Sequence, residues 1–371
     1  MKSIETRAVH SKPLKERQIQ PLVQPIYQTS AFSFNSLEEM NGYYEGNGSY
    51  LYTRNGNPNT DLLAQTVADL ENAPRGVAAS SGTGAILAGI LTAATAGSHV
   101  LAAQDVYGGT VALLKNELKN LGITGHFVDF ADPDAVEQKL IDYPEISLLI
   151  SESITNPFLR LEDIAALVQL KNQYGAKLMI DNTFATPCES RPYELGADLV
   201  VHSATKYLGG HSDVSAGVLV GHEELIAEAE RTITGMGLNL SPFESWLAVR
   251  GIRTLALRIK AQTGNAGRIA AFLETKGLKV WYPGKGAMVT FELGEEADVD
   301  RFFSSLGWIL IVPTLAGVET TVSYPYGTSH RALSHEEKER LGITGRIVRL
   351  SAGIESAEDI LEQLEAAFQA G

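Results

Sequence analysis

HSATKYLGGHSD, residues 202–213, is the stretch on which the interpretation of this chain depends. The three apolar residues before it predict a buried strand, and the Gly209-Gly210 pair ends any regular element. Lys206 therefore stands just past the end of a strand, with small hydroxyl residues beside it. Most lysines lie on solvated surfaces, but apolar surroundings remove water from an ammonium group and lower its pKa. A lysine of this kind suits an amine nucleophile, and we expect it to form a Schiff base.

The composition indicates a protein that handles small molecules. The chain has 371 residues, of which 44% are hydrophobic, and a formal net charge of −14. The length fits about two domains, and the negative charge argues against a nucleic-acid or anionic-membrane surface. Cys188 is the one cysteine, which excludes an intrachain disulfide, and the scattered histidines show no metal-ligand spacing. Because no apolar run follows Met1 or reaches transmembrane length, we expect a cytoplasmic location.

Residues 1–50 are predicted to form an irregular N-terminal arm. Pro13, Pro21 and Pro25 precede an aromatic patch within residues 27–34. The aromatic residues argue against plain disorder, so we expect the arm to pack on other protein, for example on another subunit.

Residues 51–60, LYTRNGNPNT, are predicted to be a loop. Gly56 and Pro58 interrupt a helix there, and Thr60 is the expected N-cap of the helix that follows. Tyr52 and Arg54 are two residues apart and share a face in an extended chain. The arginine suits a phosphate and the tyrosine suits stacking or proton transfer, although either residue taken alone is more commonly plain surface.

A phosphate-binding turn is predicted after a short strand at residues 76–79. The small residues 80–84, SSGTG, lead into a helix, where backbone N–H groups can approach an anion closely. A Walker loop is excluded because no lysine follows the last glycine, and a GxGxxG fingerprint is excluded by Leu87 at its sixth position. The same small residues would also permit close packing of a helix on a sheet.

Strands and helices alternate up to Lys206 and predict a mostly parallel sheet with helices on both faces. In such sheets ligands bind at the carboxyl ends of the strands. The groups that fall at this edge are residues 81–83, Tyr107, Asn156, Asp181 and Lys206. One tyrosine or acid at a strand end is commonly a turn or cap residue, but five groups at one edge favour a binding site.

The pattern changes after about residue 240. Residues 241–277 predict a long amphipathic helical segment, which leads into strands, one of them bearing Arg349, and a C-terminal helix at 357–369. The predicted organisation is an arm (1–50), an α/β domain (51–245) and a smaller α+β C-terminal domain (246–371).

Together these residues supply what pyridoxal 5′-phosphate requires. Lys206 would hold the aldehyde, the turn around Gly82 the phosphate, and Tyr107 would stack on the ring. Asp181 would keep the ring nitrogen protonated, so that the ring accepts electrons. Arg349 suits the carboxylate of an amino-acid substrate.

At this point the chain resembles the Cys/Met-metabolism (trans-sulfuration) family of pyridoxal-phosphate enzymes. The family includes cystathionine γ-synthase, cystathionine γ- and β-lyases, methionine γ-lyase and homoserine sulfhydrylases. The match runs from YTRNGNPN through SSGTGA, DVYGGT, ESITNP, DNTFATP and HSATKYLGGHSD to VRLSAGIE, nearly the whole chain, and the DNTF and HSATKYLGGHSD pair is very specific. The resemblance implies a fold type I pyridoxal-phosphate enzyme that forms a homotetramer built from dimers with shared sites.

The resemblance also implies roles at the cofactor. Lys206 is similar to the Schiff-base lysine, Asp181 to the partner of the ring nitrogen and Tyr107 to the stacking tyrosine. The residues similar to those near the phosphate are Ser81, Gly82, Thr83, Ser203 and Thr205.

Further roles follow from the same resemblance. Tyr52 and Arg54 match residues that reach into the neighbouring subunit's site, where Arg54 would bind the phosphate and Tyr52 would help deprotonate the substrate amine. Asn156 and Arg349 match groups that bind the substrate carboxylate or the cofactor O3′, and Thr314 is expected near that carboxylate.

Five positions depart from the family pattern. Thr314-Leu315-Ala316-Gly317 replaces Ser-Leu-Gly-Gly and keeps the hydroxyl. Pro313 stands where many γ-synthases and γ-lyases carry a glutamate, so the carboxylate that would favour a cystathionine amino group is missing there. Gly109 stands where methionine γ-lyases usually have cysteine, and Thr83 where methionine is common.

We therefore predict γ-replacement or γ-elimination on O-acyl-homoserine or cystathionine through Lys206. The alternatives are a cystathionine β-lyase and, after it, a methionine γ-lyase. From other classes we keep an aminotransferase, a catalytically idle cofactor-binding regulatory protein and a nucleotide-binding α/β protein.

Overall fold

Two β-sheets organise the chain, whose computed structural model describes residues 2–10, 21–47, 50–331 and 334–370. The strands of the larger sheet are β1 (Arg75–Ala79), β2 (His99–Ala103), β3 (Thr124–Val128), β4 (Ile146–Glu152), β5 (Lys177–Asp181), β6 (Leu199–Ser203) and β7 (Gly217–Gly221). Their order is β1-β7-β6-β5-β4-β2-β3, and β7 runs antiparallel to both of its neighbours while the other pairs are parallel. The two strands that flank β7 in the sheet, β1 and β6, therefore run in the same direction and end at the same edge.

The smaller sheet lies in the C-terminal part. Its strands are β8 (Lys279–Trp281), β9 (Met288–Glu292), β10 (Leu310–Ile311), β11 (Thr321–Ser323) and β12 (Ile347–Ser351). Their order is β10-β11-β12-β9-β8, with antiparallel pairs except for β10 and β11.

Helices cover both sheets. They are α1 (Ile4–Val9), α2 (Leu37–Tyr44), α3 (Pro58–Glu71), α4 (Gly82–Ala93), α5 (Gly108–Ala112), α6 (Pro133–Asp142), α7 (Ile164–Tyr174), α8 (Thr186–Glu189), α9 (Glu223–Met236), α10 (Pro242–Ile252), α11 (Leu255–Thr275), α12 (Val299–Ser304), α13 (His335–Arg340) and α14 (Ala357–Ala370).

Two hydrophobic cores follow from this arrangement. Leu178, Val200 and Leu219 on β5, β6 and β7 are fully buried, as expected for strands with helices on both faces. A second cluster joins α11, β9, β12 and α14 around Phe291. The predicted α/β fold, with a mostly parallel large sheet and a smaller α+β part, is confirmed. The exact division at residues 50 and 245 stays a prediction.

The prediction that residues 1–50 are irregular is wrong for two segments, which form α1 and α2. The arm contacts its own chain: Trp246 Nε1 donates to Gln24 O at 2.9 Å, and Asn59 Nδ2 donates to Pro25 O at 2.9 Å. Pro13 lies outside the described residues.

The start of α3 also differs from the prediction. Thr60 is not the N-cap: α3 begins at Pro58, and Asn57 caps it by accepting from Asn59 N at 2.9 Å. Pro58 starts the helix because its fixed φ and missing N–H suit the first helical position.

Three further segments depart from the predicted elements. The helical segment between β2 and β3, where the alternating pattern predicts one helix, is divided into α5, a π-helical turn (Leu113–Glu117) and a 3₁₀ turn (Leu118–Leu121). The segment 241–277 is two helices, α10 and α11, interrupted at Arg253 and Thr254. Strand β7 and helix α9 are not predicted by the sequence pattern. The apolar run of β7 is short and has a glycine at each end, which hides the strand.

None of the helices among the described residues combines the length and apolarity that crossing a membrane requires.

Candidate active site

A cavity of about 240 Å³ opens at the carboxyl edge of the large sheet and reaches the small sheet. The predicted site residues that line it are Ser81, Gly82, Thr83, Tyr107, Asn156, Asp181, Ser203, Thr205, Lys206, Thr314 and Arg349. Since their strands end at one edge, residues far apart in sequence meet there.

Lys206 lies in a tight turn after β6 and faces this cavity. Its backbone N–H donates to Ser203 O at 3.1 Å, and its Nζ donates to Thr314 Oγ1 at 2.7 Å. Burial, and then the charge of Arg349, lower the pKa of Lys206 to about 8. About a tenth of the amine is thus unprotonated at pH 7, far more than at the ordinary pKa of a lysine, and the neutral amine is the form that acts as a nucleophile.

The N-terminus of α4 forms a cup beside Lys206. Ser81 caps the helix by accepting from Gly84 N at 3.0 Å. A side chain at Gly82 would place Cβ 2.8 Å from Ser203 Cβ, so only glycine permits the helix to lie this close to β6. The remaining first-turn N–H groups and the hydroxyl of Ser203, which lines the cavity, make the cup suited to a phosphate. Thr205 also lines the cavity, but its Oγ1 donates to Ala216 O at 3.3 Å and accepts from Ala216 N at 3.0 Å.

Two carboxyl groups stand next to each other at the ends of β4 and β5. Glu152 pairs with Asp181 in the sheet register. Asp181 Oδ1 accepts from Thr183 N at 2.9 Å, and Glu152 Oε1 accepts from Tyr107 N at 2.6 Å. Burial raises the pKa of both carboxyls, and the charge of Asp181 raises the pKa of Glu152 further, so that it lies well above its ordinary value. When two buried carboxyl groups are adjacent, the state in which one is protonated and the other is charged is favoured over the state with two charges.

Tyr107 forms the rim of the cavity. It precedes α5, and its side chain is 45% exposed. A Cβ added at Gly109 would lie 2.3 Å from Tyr107 Cε1, which shows that the ring lies directly over this glycine. Glycine at position 109 therefore permits the observed ring position.

Arg349 closes the cavity from strand β12 of the small sheet. It is 3% exposed, and its Nη1 donates to Asn156 Oδ1 at 2.8 Å while Nε donates to Ser323 Oγ at 3.1 Å. Burial lowers the pKa of Arg349 to about 10, which leaves the guanidinium charged at neutral pH. A charged, fixed guanidinium is suited to a carboxylate.

Several lining residues were not predicted: Ile86, Glu152, Ile154, Thr183, Phe184, Leu315 and Ser329. Glu152 could have been found, because it ends an apolar strand as Asp181 does. Ser329 carried no signal in its loop. Its Oγ lies 2.9 Å from Nδ1 of His330, whose pKa burial and the charge of Arg349 lower to about 4. His330 is therefore neutral and Ser329 can donate to it.

Tyr52 and Arg54 do not line this cavity. Tyr52 is 43% exposed, and Arg54 Cζ lies 5.6 Å from the centre of its ring. Arg54 borders a separate depression together with Asp61 and Glu230. Within one subunit, the fold leaves these two residues apart from Lys206.

The residues present fit pyridoxal 5′-phosphate. The cup offers N–H and hydroxyl donors, Lys206 offers an amine of lowered pKa, and Asp181 offers a carboxyl group that lines the same cavity. Residues 5–369 match the family described as Cys/Met metabolism PLP-dependent enzyme. The chain belongs to this family.

Curated relatives of this Cys/Met metabolism enzyme differ in their activities. It is 39% identical over 347 residues to the cystathionine γ-synthase/O-acetylhomoserine (thiol)-lyase of Bacillus subtilis, which covers 93% of this chain and 90% of the relative. It is 37% identical to the cystathionine β-lyase of Lactococcus lactis subsp. cremoris over the full length of both chains.

A solved structure shows the same fold with the cofactor in place. A Campylobacter jejuni protein described as an O-acetylhomoserine (thiol)-lyase, with a pyridoxyl-lysine monophosphate, aligns with a TM-score of 0.93 at 27% identity and covers 99% of both chains. The predicted family, enzyme class, fold type and pyridoxal-phosphate cofactor are therefore confirmed. The role of each side chain stays a prediction.

Proposed function

We propose that this enzyme catalyses γ-replacement or γ-elimination on a homoserine-derived substrate, O-acyl-homoserine or cystathionine. The observation that carries the proposal is the position of Lys206: its Nζ, with a pKa of about 8, contacts Thr314 in a cavity that Arg349 closes. This arrangement provides one mobile base beside one carboxylate-binding group.

When bound, pyridoxal phosphate supplies a ring that withdraws electrons from the α carbon of the substrate. Arg349 and Asn156 would hold the substrate carboxylate, which fixes the α proton toward Lys206. Lys206 would remove that proton and, for γ chemistry, would also move a proton at the β carbon. Asp181 would keep the ring nitrogen protonated, and Tyr107 would stack on the ring.

The acidic groups of the cavity favour the ester among these substrates. Among the described lining residues, the carboxyls are those of Glu152 and Asp181, which lie side by side on the cofactor wall. Pro313 and Leu315 supply no charge at the wall near Thr314. The second ammonium group of cystathionine would meet no further carboxylate from this subunit, whereas an acyl ester requires none.

We also propose that active sites are shared between subunits of a homotetramer built from dimers. Among the described residues, the cationic side chains that line the cavity are Lys206 and Arg349. Lys206 would hold the aldehyde of the cofactor and Arg349 the substrate carboxylate, so neither is assigned to the phosphate. Arg54 lies outside its own cavity, which supports its binding the phosphate in a neighbouring subunit. The cytoplasmic location stays a prediction.

The test is a product assay on the purified enzyme with its cofactor. Cystathionine is supplied alone, and O-acetyl- or O-succinyl-homoserine is supplied with cysteine. Cystathionine formed from an ester, or 2-oxobutyrate and cysteine formed from cystathionine, supports the proposal. Lys206→Ala should abolish either product.

Other products would contradict the proposal. Pyruvate and homocysteine from cystathionine would identify a β-lyase, the second candidate. If the enzyme has bound cofactor but forms no product from any of these compounds, the proposal is wrong. The protein then either uses another sulfur amino acid or is a regulatory protein that binds the cofactor without catalysis.

A further inference from the structure

We propose that Arg258 and Gln262, one turn apart on α11, are positioning residues that fix Lys206 relative to Thr314. The inference rests on the proposed role of Lys206. Neither residue touches the cavity, and each acts through the backbone of a loop.

Arg258 binds the loop that carries Lys206. Its side chain is 5% exposed. Nη1 donates to Tyr207 O at 2.8 Å, and Nη2 donates to Gly251 O at 2.9 Å and to Leu208 O at 3.4 Å. The two residues that directly follow Lys206 are therefore tied to α11. Burying a charge against carbonyl groups is costly, and an apolar side chain would fill the same space with less penalty.

The glycine at position 210 is explained by this contact. Gly210 has φ +74°, and a Cβ there would lie 2.1 Å from Arg258 Nη1. A Cβ at Gly209 would lie 2.8 Å from Ala204 O. Gly210 N closes the turn by donating to Lys206 O at 2.7 Å. The loop can approach the guanidinium only because Gly210 lacks a side chain, and Gly209 lets the loop fold back on Ala204.

Gln262 binds the loop that carries Thr314. It is fully buried, and its Nε2 donates to Gly317 O at 2.7 Å and to Ala352 O at 3.0 Å. Ala316 has φ +73°, a left-handed conformation, and its N–H donates to Ser351 Oγ at 2.9 Å. The loop is thereby tied both to α11 and to β12, the strand of Arg349.

One rigid helix thus sets both ends of the contact between Lys206 and Thr314. Residues four apart lie on the same helix face, so Arg258 and Gln262 donate hydrogen bonds to two loops from one face of α11. Groups on loops keep a productive geometry only where their support is fixed, and a displacement of about 1 Å can cost about 10²-fold in rate.

The experiment compares Gln262→Met, Arg258→Met and Arg258→Lys with Arg268→Met as the control. Arg268 lies on the same helix, is exposed and pairs with Glu358 at 2.7 Å. We measure the pH midpoint of the absorption band of enzyme-bound cofactor, and kcat and KM with the substrate that the product assay identifies. We expect Gln262→Met and Arg258→Met to shift the midpoint and to lower kcat by about tenfold or more with little change in KM. Arg258→Lys should recover part of the loss, and Arg268→Met should resemble wild type.

A double-mutant cycle separates positioning from general destabilisation. Because Gln262 acts through the Thr314 loop, Gln262→Met combined with Thr314→Val should lower kcat little more than Thr314→Val alone. Multiplicative losses in this pair, or an unshifted midpoint in folded Gln262→Met enzyme, would overturn the inference. If Arg258→Met does not fold, Gln262→Met and Arg258→Lys decide.

Failure of the proposed function would be recognised separately. The absorption midpoint requires only bound cofactor, so it tests the positioning role even if wild-type enzyme turns over none of the proposed substrates.

Discussion

Glu152 and Asp181 are neighbours with the same chemistry, and their surroundings assign them different protonation states. Burial raises the pKa of both, but Glu152 also experiences the charge of Asp181. A protonated ring nitrogen beside Asp181 would favour its charged form. We therefore expect Asp181 to be the anion and Glu152 to keep the proton at neutral pH.

The matched substitutions Asp181→Asn and Glu152→Gln test this assignment. An amide is close to a protonated carboxyl in shape, so Glu152→Gln should keep kcat within about threefold of wild type. Asp181→Asn removes the charge that holds the ring proton and should lower kcat by about 10²-fold or more. Steady-state kinetics at pH 7 measures both, and equal losses would contradict the assignment.

The lowered pKa of Lys206 predicts how cofactor loading depends on pH. The folded value of about 8 lies below the ordinary 10.5, so the neutral amine is formed as the pH rises through 8. The rate at which apoenzyme takes up pyridoxal phosphate should therefore rise by about tenfold per pH unit below this midpoint and level off above it. Stopped-flow absorbance follows the reaction.

Free Nα-acetyl-lysine is the control for that measurement, since its rate should continue to rise toward pH 10. A loading rate that follows the free amine would show that the protein does not lower the lysine pKa.

At the scale of elements, the first turn of α4 determines how tightly a phosphate can be held. The approach of α4 to β6 leaves no space for a Cβ at Gly82, which would lie 2.8 Å from Ser203 Cβ. Gly82→Ala should push the cup away from Ser203 and weaken cofactor affinity by about tenfold or more, because hydrogen bonds to a charged group contribute about 1.5–3 kcal/mol each. Equilibrium dialysis of the apoenzyme with pyridoxal phosphate measures the change.

Gly264→Ala on α11 is the matched control. A Cβ at Gly264 meets no atom within 4 Å, so alanine should leave cofactor affinity unchanged and stabilise the helix by about 0.5–1 kcal/mol. Equal affinity of Gly82→Ala and wild type would show that the cup does not bind the phosphate.

The elements that place the site were predictable where sequence carries local information. Strands β4, β5 and β6 are near-continuous apolar runs, and the polar residue that follows each run marks the carboxyl edge. The sequence pattern does not predict β7, because its five residues begin and end with glycine. It favours Thr60 over Asn57 as the N-cap, because proline ordinarily interrupts a helix, whereas Pro58 starts this one. Both errors come from applying the rules for Gly and Pro without tertiary context.

At the scale of the whole molecule, contacts between distant loops could not be predicted. Lys206 and Thr314 are 108 residues apart and meet at 2.7 Å, and Arg349 reaches Asn156 from the other sheet. The roles at these positions came from the family resemblance. No periodicity or spacing places Gln262 against Gly317, since that contact depends on how the two cores pack.

The last prediction concerns the proposed assembly, in which Arg54 of one subunit would bind the phosphate in the site of its neighbour. If Arg54 acts in the neighbouring site, a dimer of one Lys206→Ala subunit and one Arg54→Ala subunit contains one intact site, with Lys206 from the second subunit and Arg54 from the first. Co-expression of the two inactive variants should then restore up to about a quarter of wild-type activity, since half of randomly assembled dimers are hybrids with one of two sites intact.

The control for this experiment pairs Lys206→Ala with Asp181→Ala. Both residues line the same subunit's cavity, so a hybrid of these variants contains no intact site and should stay inactive. Recovery in the Arg54 pair alone assigns Arg54 to the neighbouring subunit, because no rearrangement within one chain would give a lysine-deficient subunit that rescues an arginine-deficient one. Absence of recovery, with hybrids verified by differential tags, would place Arg54 in its own subunit's site and would remove the main support for shared sites.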